Sequence, residues 1–165
     1  MLQFAVSQAG PCGQWRWLFC IVLYGLVAAL GVGFSSQSGL ARDDRFLPAD
    51  QAMDLAGKGD IILIDVRSPQ EWQQTGVPAG ARTVTIHDPD GLPGFVAAIQ
   101  VELAGKSDKP IALICAAGNR STMAQAALRE AGFSRVLNVK EGLFGNDSGP
   151  GWIARDLPLE PCADC

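Results

Sequence analysis

A chain of 165 residues, 48% of them apolar, has material for one ordinary domain with its own core plus a short accessory segment, and hardly for two domains. Its formal net charge of −4, from 17 acids against 13 bases, excludes the basic surface that nucleic-acid binding requires. Five cysteines, at 12, 20, 115, 162 and 165, are too few and too clustered to act as a disulfide scaffold.

Charge is unevenly spread. Arg16 is the only charged side chain before Arg42, and every acid lies from Asp43 onward. Residues 17–34 read WLFCIVLYGLVAALGVGF, a run with no charge that would extend ~27 Å as a helix, close to the hydrocarbon thickness of a bilayer. A helix apolar on every side needs cover all round, and the remaining chain is short for that. Residues 1–41 are therefore predicted to be a signal peptide or a membrane anchor. As a signal peptide, Arg16 ends the charged region and Gly39 and Ala41 suit a cleavage site. As an anchor, Trp15, Trp17 and Tyr24 supply interfacial aromatics. Either reading places the rest of the chain outside the cytoplasm, in a periplasmic or other extracytoplasmic setting. Membrane contact is confined to residues 17–34.

From residue 42 the pattern alternates. Leu47-Pro48-Ala49-Asp50 opens a helix that Gly57-Lys58-Gly59 breaks. Ile61-Ile62-Leu63-Ile64 is a continuous apolar run of strand length, as a strand covered on both faces requires. Ser68-Pro69-Gln70-Glu71 combines an N-cap serine, a proline at the first helical position and a first-turn acid. A glycine-bounded turn leads to a second predicted strand at residues 83–86, then a helix over roughly 92–103. Ile111-Ala112-Leu113-Ile114 is the third strand and runs straight into Cys115. A helix capped by Ser121 is predicted to follow through Ala131, then a short strand at residues 136–139, a glycine-rich loop over 142–150 and a helical turn around Trp152. Strands separated by helices pair in parallel through right-handed crossovers. The expected fold is α/β, a three-layer sandwich with a central, mainly parallel sheet flanked by helices, over residues 42–160. Residues 161–165 form a C-terminal tail.

Functional residues of such folds gather at the carboxyl ends of strands, where Asp65 and Cys115 both lie. The segment Cys115-Ala116-Ala117-Gly118-Asn119-Arg120-Ser121 joins a buried strand to a helix start through small residues. Backbone N–H groups of 116–121, the helix N-terminus and the Arg120 charge are expected to surround the sulfur and favour the thiolate, its reactive form. Gly118 lets the backbone turn inward, while Ala116 and Ala117 keep the mouth open.

This loop resembles the active-site loop of rhodanese-like domains, particularly the compact single-domain bacterial ones. Asp65-Val66-Arg67-Ser68-Pro69-Gln70-Glu71-Trp72 is similar to the family's D-V-R-x-x-x-E-[YFW] signature. Gly76-Val77-Pro78-Ala79-Gly80-Ala81 resembles the segment that follows it, without the usual histidine and with one extra residue. Glu141-Gly142-Leu143, Gly149-Pro150-Gly151-Trp152 and Leu157-Pro158-Leu159-Glu160 resemble later segments in the family's order, so the likeness spans about residues 45–160. It implies a sulfurtransferase without a cofactor. Cys115 would take a sulfane sulfur from a small anion such as thiosulfate, or from a polysulfide or persulfide, and pass it as a persulfide to cyanide, a thiol or a partner protein. Positions 116–121 would bind the donor, with Arg120 orienting its charge, and Asp65 and Arg67 would support the site. Cys115 and Arg120 enclose four residues, as in sulfur-transferring members; the family's phosphatase relatives have one more. A carrier serving a partner protein is the alternative, and a redox relay between Cys115 and the tail cysteines a third reading.

Two further features stand apart. His87, the single histidine, reads as a surface or turn residue. Cys162 and Cys165 form a C-x-x-C with no second pair to complete a zinc site, so no metal is expected. A redox-active dithiol or a simple tail disulfide are the two readings of that pair.

Overall fold

The computed structural model describes residues 46–104, 109–163 and 165, all within one compact unit, Leu40–Cys165. The apolar run at 17–34 lies outside the described residues. Among those described, no helix is long and apolar enough to cross a membrane.

In chain order the elements are α1 (Ala49–Gly57), β1 (Ile62–Asp65), α2 (Pro69–Thr75), β2 (Val77–Pro78), β3 (Arg82–Thr83), α3 (Gly91–Glu102), β4 (Ile111–Ile114), α4 (Asn119–Glu130), β5 (Val136–Val139), α5 (Gly151–Ala154) and β6 (Leu159–Glu160). Four strands form a parallel sheet in the order β3-β1-β4-β5, and β2 pairs with β6 in a separate antiparallel ribbon. Every residue of β1 and β4 is buried, which is why both read as unbroken apolar runs.

Alternation along the strands divides the core in two. Ile62, Ile64, Ile111 and Leu113 face one side with Phe95 and Ile99 of α3 and Ala124 and Leu128 of α4. Ile61, Leu63, Ala112 and Ile114 face the other with Ala49 and Ala52 of α1 and Trp152 of α5. Helices on both faces of a parallel sheet give the three-layer α/β sandwich expected. Truncating a fully buried anchor such as Phe95 to alanine costs ~3–5 kcal/mol.

Two element boundaries differ from expectation. Strand geometry at the second position is confined to Arg82–Thr83, rather than 83–86. β3 is an edge strand; Val84 and Ile86 still donate to Asp65 O and Val66 O at 3.2 Å and bury their side chains, but without regular strand conformation. The helix after Cys115 begins at Asn119 with Gly118 as N-cap, so Ser121 lies inside the first turn and is not the cap. The left-handed conformation of Gly118 (φ 86°) turns the chain early enough to start the helix there.

The helix after β1 starts as expected. Ser68 Oγ accepts from Glu71 N (3.4 Å), and Glu71 Oε2 accepts from Ser68 N (3.1 Å), a complete capping box with Pro69 at the first turn. It fixes the Glu71 carboxylate at the carboxyl end of the sheet.

Candidate active site

Cys115 follows directly on β4 and is 1% exposed, its base packed in the core with Val66 and Ile86. The three carbonyls that begin the loop are all taken. Cys115 O accepts from Leu143 N (2.9 Å), Ala116 O from Phe144 N (3.0 Å) and Ala117 O from Asn146 Nδ2 (2.9 Å). In a trans peptide the C=O and N–H point in opposite directions. Fixing these oxygens from outside therefore turns the amides of Ala116, Ala117 and Gly118 the other way. The Gly118 amide donates to Cys115 Sγ at 3.2 Å. The result is a concave set of backbone donors beside a sulfur, a shape suited to anions.

Gly118 has no substitute here. A Cβ would overlap the carbonyl oxygen of Lys140, and its φ lies in the region side chains avoid. Ser121, fully buried, lies with its Oγ 3.5 Å from Sγ and donates to Gly118 O at 3.0 Å. The amides of Asn119, Arg120 and Ser121 belong to the first turn of α4 and have no acceptor within the helix. The Asn119 and Ala117 side chains are exposed and Ala116 is half-buried, so these residues shape the loop through their backbone.

Arg120 does not offer the sulfur a free charge, as the sequence led us to expect. Its guanidinium grips Glu71 through Nη1–Oε2 and Nη2–Oε1 contacts of 2.6 Å each. These bonds, only partly opposed by burial and reinforced by Ser68, hold the Glu71 carboxyl down at about 2, from an ordinary 4.5. The same partner raises Arg120 above its usual value. Arg120 sits in the first turn of a helix that starts three residues early, and that placement aims it across to α2. His87, exposed, comes within 3.4 Å of Arg120 Nη1 through Nε2, so the turn histidine borders this ion pair.

Below the rim, Asp65 and Arg67 are both fully buried and paired with each other. Arg67 donates from Nε to both carboxylate oxygens (3.0 and 2.8 Å) and from Nη2 to Oδ2 (2.6 Å). It also donates to Thr75 Oγ1 (2.8 Å) and Gly76 O (2.7 Å), clamping the far end of α2. One arginine thus ties β1 to both ends of the loop and helix that carry Glu71.

Two residues of consequence escaped sequence reasoning. Asn146 donates to Lys140 O (2.8 Å) as well as to Ala117 O, joining the loop to the end of β5. Glu141, fully buried, accepts from Ala49 N (2.6 Å), Gly151 N (2.9 Å) and Arg155 Nε and Nη2 (3.2 and 3.1 Å). It caps α1 and α5 together and anchors the segment 142–144 that braces Cys115. A signal was available: Pro48 and Pro150, at the two helix starts, have no side chain able to cap them. The tail cysteines, Cys162 and Cys165, are paired in a disulfide, while Cys115 is free.

Comparison with known proteins agrees with this architecture. The model of the Rhodanese-like domain family matches residues 48–146. A sulfurtransferase of Allochromatium vinosum is 30% identical over 105 residues, covering 64% of this chain and 83% of its own length. The thiosulfate sulfurtransferase GlpE of Pseudomonas savastanoi pv. phaseolicola is 32% identical over 96 residues, covering 58% and 80%. The crystal structure of Rv0390 from M. tuberculosis superposes with a TM-score of 0.56 at 30% identity, covering 71% of this chain and 97% of that one. With the parallel sheet, the strand-end cysteine and the amide-lined loop in place, this chain belongs to the rhodanese-like domain family.

Proposed function

We propose that the domain is a sulfurtransferase in which Cys115 carries the sulfur. Similarity to sulfurtransferases, one of them named for thiosulfate, supports the general activity. The observation that carries the mechanism is the Gly118 amide on Sγ, within a loop whose carbonyl oxygens are all engaged elsewhere. Such a loop stabilises negative charge on Sγ and, after transfer, on the outer sulfur of a persulfide. Cys115 attacks the outer sulfur of a sulfane donor such as thiosulfate; the donor's S–S bond breaks and sulfite leaves with its electron pair. A thiol or cyanide then takes the sulfur and restores the Cys115 thiolate. Glu71 balances the Arg120 charge, so donor binding rests chiefly on the backbone of 116–121. We place the reaction outside the cytoplasm, on the apolar run at 17–34. The test is thiocyanate formation by the full chain given thiosulfate and cyanide: turnover lost in Cys115→Ser supports the reading, and turnover that survives it overturns the role of Cys115.

A further inference from the structure

The tail beyond β6 has no part in the chemistry described so far. β6 is held against β2, with Ala79 N donating to Pro158 O at 3.0 Å, and Leu159 packs on the core around Leu63. From there the chain turns back along α2. Pro161, Cys162 and Ala163 line a cleft with Gln73, Gln74 and Thr75, and Cys165 O accepts from Gln73 Nε2 at 3.4 Å. Gln73 is two residues beyond Glu71, whose carboxylate grips Arg120 at the rim of the cysteine loop. The tail therefore runs from a fixed hinge towards the end of α2 that borders the site.

Reach decides whether it can arrive. α2 has seven residues and is ~10 Å long. The five tail residues span up to ~17 Å when extended. A tail hinged at β6 outreaches the helix it lies on. Among the described residues it is tied down beyond Glu160 by that one long hydrogen bond, and both cysteines are half-buried, outside the core.

We infer that Cys162 and Cys165 are the acceptor dithiol of this domain, drawing the sulfane sulfur off Cys115 within the same chain and releasing it as sulfide. The inference rests on the persulfide reading above and names its acceptor. The Cys165 thiolate, at the far end of that reach, attacks the outer sulfur of the Cys115 persulfide, returning Cys115 to thiolate and leaving the persulfide on Cys165. The Cys162 thiolate then attacks Cys165 Sγ; the bond from Cys165 to the outer sulfur breaks, and that sulfur leaves as hydrosulfide with the electron pair. Two thiols are oxidised to one disulfide and one sulfane sulfur is reduced to sulfide. The Cys162–Cys165 disulfide in the structure is the product state. An external dithiol reductant reopens it by exchange. Spacing explains the pair: a lone acceptor cysteine would keep the sulfur, whereas a second thiol three residues away expels it.

The test uses the full chain, fully reduced and freed of reductant, then given thiosulfate. Wild type is expected to release one sulfide per chain and to close the Cys162–Cys165 disulfide, seen by peptide mapping. Cys162→Ser/Cys165→Ser is expected to release none and to keep one added sulfur on Cys115. Sulfide release from that double variant at the wild-type rate overturns the inference. So does a wild-type chain that holds its persulfide while the tail stays reduced; the persulfide reading then survives alone. Absence of added sulfur on Cys115 in both proteins is instead the failure of the persulfide reading. A mixture of Cys115→Ser with the double variant is expected to release no sulfide on the wild-type time scale; release as fast as wild type overturns transfer within one chain.

Discussion

Glu71 and Arg120 meet through two parallel 2.6 Å contacts, so the arginine closing the cysteine loop is held by the acid that caps the helix after β1. The pair has an acid-range signature. Glu71 titrates in the folded state at about 2, below its ordinary 4.5, so the native state binds its proton less readily than the unfolded chain. Its stabilising contribution is present above the ordinary value and is lost as pH falls towards 2. Urea unfolding of wild type should show a falling midpoint below pH ~4.5, and Glu71→Gln should flatten that limb. An identical slope in the two proteins would contradict the assignment.

Removing the arginine alone should be harsher than removing both partners. Arg120→Ala leaves the Glu71 carboxylate beside a site that must accept an anion. The expected loss in kcat/KM for thiosulfate is about 10- to 100-fold, equivalent to ~1.4–3 kcal/mol. Arg120→Ala/Glu71→Gln should recover part of it. A double variant as poor as the sum of the two single losses would show that Glu71 repulsion is not the cause.

Arg67 carries a structural prediction. Arg67→Met strips the fully buried Asp65 carboxylate of its cation, leaves Thr75 Oγ1 without the arginine that donates to it, and leaves Gly76 O with only the Thr75 hydroxyl at 3.1 Å. Stability should fall by ~3–5 kcal/mol in denaturant unfolding. Asp65→Leu/Arg67→Met should lose less than Arg67→Met, because no uncompensated charge is then buried.

Asn146 is a positioning residue for the loop. Asn146→Leu frees Ala117 O and with it the orientation of the Gly118 amide. Sulfur transfer should fall about ten-fold in kcat, ~1.4 kcal/mol, with KM for thiosulfate little changed. Asn146→Asp, which cannot donate, should match it, and Asn146→Gln should restore part of the loss. A loss in KM alone would assign Asn146 to donor binding instead.

Legibility in the sequence followed the range of the interactions. β1 and β4 were readable because burial on both faces leaves an unbroken apolar run, and α2 because its capping box is local, from Ser68 to Glu71. Cys115, Gly118 and Ser121 were placed at the site by their position after a strand. The Arg120–Glu71 grip joins residues 49 apart, and Glu141 caps Ala49 from 92 residues away. Neither leaves a local pattern. The early start of α4 was hidden by a serine that resembles a cap but hydrogen-bonds back to Gly118. Asn146 sits in a glycine-rich loop, where its residue type reads simply as a turn former.

The role proposed for Cys115 is that of sulfur carrier. Its most direct test is intact mass spectrometry of the full chain, its tail disulfide closed, after incubation with thiosulfate and removal of excess donor. A gain of one sulfur atom is expected, mapped to Cys115, removed by cyanide and absent from Cys115→Ser. An unchanged mass with thiosulfate and with polysulfide, or an equal gain in Cys115→Ser, would contradict it.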